Sequence, residues 1–75
     1  MNNIPFTGFV DVSTRRKRRE ALSIAVRLLE QILQAEEAYM ERIPDNLQSG
    51  EAYETTEEYI CMLSDALLSL TSVYD

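Results

Sequence analysis

Apolar residues recur along this chain with a helical period, and the period is interrupted once. From Leu22 the set Leu22, Ala25, Leu29, Ile32, Glu36, Tyr39, Ile43 repeats at heptad spacing and is apolar except at Glu36. Such a repeat marks one stripe of an amphipathic α-helix. A second row, Val26, Leu33 and Met40, lies beside it, and Ala21, Ile24, Leu28 and Ala35 widen the other flank. At about 100° per residue the apolar sector covers roughly 200° of the helix. A single partner helix covers a narrower stripe, so this helix is expected to meet more than one neighbour. The remaining face, running through Arg16, Glu20, Ser23, Arg27, Glu30, Gln34, Glu37 and Glu41, is polar throughout.

The pattern predicts a first helix over about 13–42, with Asp11, Ser13 or Thr14 as its N-cap. Pro44 ends it, since the residue before a proline is driven out of the helical region. Asp45, Asn46, Ser49 and Gly50 supply the turn. A second helix is expected over about 50–73, capped by Ser49 or by Thr55, whose pairing with Glu58 spells a capping box. Its heptad row is Ala52, Thr56, Tyr59, Leu63, Ala66, Leu70, Val73, flanked by Tyr53, Ile60, Leu67 and Tyr74, while Cys61 and Leu68 stand on its polar side. A short connection makes the two helices antiparallel neighbours. The fold class is therefore all-α: an antiparallel two-helix hairpin over 13–75, preceded by an apolar arm over 1–12. Pairing two hairpins into a four-helix bundle would cover the surplus apolar face, so a homo-oligomer, with a dimer favoured, is expected. The seam of that assembly would use Leu22, Leu29, Ile32, Tyr39, Tyr59, Leu63 and Leu70.

Pro5 and Gly8 keep the arm from being helical. Phe6 and Phe9 either fold back on the helices or dock on a partner. With Val10, Ile24 and Leu28 they form the candidate partner-binding set.

Size sharpens these expectations. A single core in 75 residues rarely stabilises a fold by more than about 3–5 kcal/mol, and small chains lean on disulfides, metals or partners. The chain has one cysteine and no histidine, which rules out an internal disulfide and a four-ligand zinc site. A lone cysteine, no secretory signal pattern and no long apolar run point to a cytoplasmic protein that does not enter a membrane.

Charge adds a question. Net charge is −6, yet Arg15, Arg16, Lys17, Arg18 and Arg19 are consecutive. From Leu28 onward eleven carboxylates face one base, Arg42. Five successive residues splay around a helix, and at its N-terminus cations oppose the dipole. The collar is thus a candidate anion site, for nucleic acid or a nucleotide. Its alternative partners are the protein's own acids, near Asp65 and Asp75 or on a neighbour's acidic turn.

No catalytic constellation is visible. Cys61 has no histidine to activate it, the glutamates are spaced as solvated helix faces, and two glycines cannot build a phosphate loop. The expectation is a non-enzyme without cofactor, catalytic residues or metal site. Three readings follow: a protein–protein binding module, a nucleic-acid or nucleotide binder through Arg15–Arg19, and a purely structural self-assembly module.

The stretch from Ala38 to Leu70, above all Ile43-Pro44-Asp45-Asn46-Leu47-Gln48 at the turn with Tyr39 before it, is similar to small helical proteins of bacteriophages and mobile elements of Gram-positive bacteria. The likeness covers about half the chain and carries no functional residues. It implies a setting in which small proteins act by attaching to a host component, defence machinery or its nucleotide signals included.

Overall fold

The computed structural model describes residues 10–75; Phe6 and Phe9 lie outside the described residues. Two α-helices, α1 (Arg15–Glu41) and α2 (Glu51–Thr71), are joined by a turn containing one 3₁₀ segment, Asp45–Leu47. They pack side by side as a hairpin, and no strand occurs among the described residues. Neither helix is long and apolar enough to cross a membrane.

The ends of α1 follow from local chemistry. Thr14 is its N-cap, in extended conformation, and its hydroxyl accepts the Lys17 amide at 3.1 Å, satisfying one orphan donor of the first turn. At the other end the Arg42 and Ile43 amides still donate to Tyr39 and Met40 carbonyls, and Pro44, lacking an N–H, cannot continue the ladder. The chain reverses through Leu47 N–H to Pro44 C=O and Gly50 N–H to Leu47 C=O. A Cβ at Gly50 would lie 3.1 Å from the Leu47 carbonyl oxygen, so the residue is small because the turn closes on itself there.

The start of α2 differs from expectation. Gly50, not Ser49 or Thr55, is the N-cap, and it makes no side-chain cap bond. Thr55 lies inside the helix, so the Thr55–Glu58 capping box does not form. Glu51 and Glu54 occupy the first turn instead, where the helix dipole favours carboxylates.

The hairpin's own seam is also one row away from the predicted one. The covered side chains run Leu22, Val26, Leu29, Leu33, Glu36, Met40, Ile43 on α1 and just past its end and Tyr53, Thr56, Ile60, Leu63, Leu67, Leu70, Tyr74 on α2 and its C-terminal end, with Ala21, Ala25, Thr55 and Ser64 partly covered beside them. Both sets have heptad spacing. The rows expected to flank the seam therefore fill it, and the row of Ala25, Ile32, Tyr39 and of Ala52, Tyr59, Ala66 lies to its side. Tyr53 and Tyr74 enter only at the two ends, close to solvent. Thr56 is 3% exposed, and its hydroxyl donates to the Ala52 carbonyl at 2.8 Å, so this buried hydroxyl is satisfied. Leu67 is the one buried hydrophobic residue among those described.

Truncating Leu67 should therefore cost about 2–5 kcal/mol, which is comparable to the whole stability of so small a core. We expect Leu67→Ala to abolish the helical far-ultraviolet circular dichroism signal of the dilute chain at 37 °C. Leu68→Ala, one residue on and 71% exposed, should leave it unchanged.

Candidate functional site

The hairpin is one layer deep, and its two broad faces differ in chemistry. Around one side, Ser23, Arg27 and Glu30 of α1 line a groove with Thr71 and Tyr74, and Leu22, Val26 and Leu70 line it beneath this polar rim. Around the other, Tyr39 lies beside Ala52 and Leu47, and further along Glu36 meets Tyr59, Met62 and Leu63. Helical spacing continues this second face through Leu28 and Ile32 on α1 and through Ala66 and Val73 at the end of α2. Leu28, Ile32, Tyr39, Tyr59, Met62 and Val73 are all 44–60% exposed. Between its rims the face holds a single charge, Glu36, which is half-buried.

The expected seam residues consequently divide. Leu22, Leu29, Leu63 and Leu70 are half-buried and belong to the hairpin seam, while Ile32, Tyr39 and Tyr59 face outward on the apolar side. Of the partner-binding candidates, Leu28 lies on that face and Ile24 at its outer margin, both exposed; Val10 is exposed beyond the helix start. Met62, at 60% exposure, was not a candidate. Its i+3 spacing from Tyr59 and i−4 spacing from Ala66 is the signal that places it there.

The basic collar is held by local contacts. Lys17 Nζ donates to Asp11 Oδ2, and the Ser13 amide and hydroxyl both donate to Asp11 Oδ1, at 3.0 and 2.7 Å. Arg18 donates to the Val12 carbonyl at 2.9 Å. Arg16 reaches Glu20 at 3.8 Å, a fully solvated pair of little energetic weight. Arg19 stacks its guanidinium over the Tyr74 ring, 5.5 Å from the centroid, tying the start of α1 to the end of the chain. Arg15 makes no polar contact among the described residues. The proximity expected between the collar and the end of α2 is therefore present, but its partner is an aromatic face: no ion pair to Asp65 or Asp75 forms among the described residues.

Cys61 and Leu68 are exposed on the polar side, as their register requires. Among the described residues no group of three or more potential ligands is placed to hold a metal ion. No known protein family, curated protein or solved structure matches the chain.

The Lys17 side chain, with Ser13 behind it, lowers the Asp11 carboxyl from 3.8 to about 2. A depressed carboxylate stabilises the fold fully above its ordinary value, and that contribution is lost as pH falls from about 3.8 through about 2. We expect the Asp11 side-chain carbon resonance to titrate near 2, and Lys17→Ala to return the midpoint toward 3.8. An unchanged midpoint in the variant would contradict the contact.

Proposed function

We propose that this protein is a non-enzymatic binding protein that works by protein–protein contact through the apolar face of its hairpin. One observation carries the reading: both helices bear two heptad rows, and the hairpin uses only one. On α1 the positions Leu22, Leu29, Glu36 and Ile43 are shared, with Val26, Leu33 and Met40 completing the inner seam and Ala25, Ile32 and Tyr39 the outer one. A helix with apolar residues at a, d and e presents a wider stripe than the a/d seam of a two-helix contact. The outer seam leaves six large side chains about half in water. Burial of each would contribute about 1 kcal/mol or more, at roughly 25 cal/mol per Å².

The collar supports a second reading, phosphate binding, less well. Four of its five cations already have contacts within the chain, which a polyanion would have to replace. The acidic body, eleven carboxylates from Leu28 onward, would repel phosphate beyond the collar end.

A docking face is either covered, and then protects its residues, or bare, and then binds apolar probes. In the protein at micromolar concentration we expect peroxide to oxidise Met62 at least tenfold more slowly than in the urea-unfolded chain, and Tyr59→Lys to remove that protection. If Met62 is instead reactive, the face should bind the dye anilinonaphthalene sulfonate. Full Met62 reactivity without dye binding contradicts the reading.

A further inference from the structure

We propose that the apolar face is covered by a second copy of this chain, packed face to face in antiparallel orientation, so that the basic collar of each copy lies toward the acidic turn of the other. The proposal rests on the reading of that face as a docking surface and names its occupant. Three observations lead to it.

The first is shape. The outer seam runs on both helices at the same heptad spacing, through Ala25, Ile32, Tyr39 and through Ala52, Tyr59, Ala66, Val73. A single docked helix would follow the groove between them and leave the outer rows wet. An occupant two helices wide, with the same repeat, matches both rows, and this hairpin has that width and repeat. Stacking two hairpins yields a four-helix bundle with coiled-coil-like side-chain interlocking on all four helices.

The second is area. The six large residues of the face, 44–60% exposed, together with the alanines between them present on the order of 700 Å². A stable interface of standard size takes roughly 800 Å² from each partner. The face therefore has the extent of a dimer interface, and a two-fold axis lets the same patch serve on both copies.

The third is charge, and it fixes the orientation. Residues 11–20 at the open end carry a net +3, with Asp75 beside them; residues 41–54 at the turn carry a net −3 despite Arg42. Parallel stacking sets collar against collar and turn against turn. Antiparallel stacking sets each collar toward the other copy's Asp45, Glu51 and Glu54. Like charges brought together across an interface disfavour that arrangement, so the rims select the antiparallel one while the apolar side chains around Glu36 supply the attraction. This also accounts for the position of the collar, where five cations oppose the dipole of their own helix.

Orientation is read by one distance. In the full-length chain with Cys61→Ser, an Asn46→Cys substitution places a single nitroxide label at the exposed turn. Antiparallel copies separate the two turn labels by about 40 Å, the length of α1 at about 1.5 Å per residue. Parallel copies hold them within about 20 Å, two helix layers being about 10 Å apart. Pulsed dipolar spectroscopy should give the longer distance, and the signal should vanish on dilution with unlabelled chain. A short distance overturns the orientation. No dipolar signal at 100 µM overturns the second copy; Met62 protection or dye binding would then leave the docking face standing with another occupant. Protection lost on deleting residues 1–9 from such a monomer would assign the face to the chain's own arm.

Discussion

Everything in this fold depends on a mismatch between the width of the apolar sector on α1 and the width of one partner helix. About 200° of that helix is apolar, and a single antiparallel neighbour covers less. The hairpin resolves the mismatch by placing the row of Val26, Leu33 and Met40 inside and leaving Ile32 and Tyr39 outside, with Ala25 partly covered between them. The same choice on α2 puts Ile60 and Leu67 inside and Tyr59 and Val73 outside. Because the choices fall on one side, the leftover surface is a continuous face and not scattered exposed residues. A one-layer structure with a single buried hydrophobe among the described residues has little stability of its own, so the face is where most of the remaining burial energy lies.

Local contacts set the frame within which that face is flat and uninterrupted. Thr14 and Asp11 fix where α1 begins, and Pro44 with Gly50 fixes where the chain turns. Arg19 on Tyr74 closes the open end, holding the helix termini together where no covalent loop does so. Each of these contacts lies at an end of the hairpin, at or near solvent. They determine register and reach, and leave the driving force to apolar burial.

Much of the architecture was legible in the sequence, because period and punctuation are local signals. Pro44, the Asp45–Gly50 turn residues and the heptad spacing place both helices to within about two residues of their observed bounds. The cap of α2 was not legible: the Thr55–Glu58 pair has the spelling of a capping box, yet the reversal at Leu47–Gly50 lets the helix start earlier. Which of two heptad rows faces the partner helix was also undetermined, since two rows sharing Leu22, Leu29, Glu36 and Ile43 have equal periodicity. Packing across the whole interface decides it, and that is a tertiary property. The collar was legible as a cluster, but not its contacts, because Arg19 finds Tyr74 only once the hairpin has closed. Met62 was missed for the same reason as the row itself.

The proposed completion of this core by a second copy of the hairpin is tested by the dependence of thermal unfolding on protein concentration. A dimer that dissociates as it unfolds gains about 1.4 kcal/mol for every tenfold rise in concentration, so the midpoint should climb by several degrees across 5 to 500 µM. A midpoint constant over that range, in a chain that sediments as a monomer throughout, would contradict it.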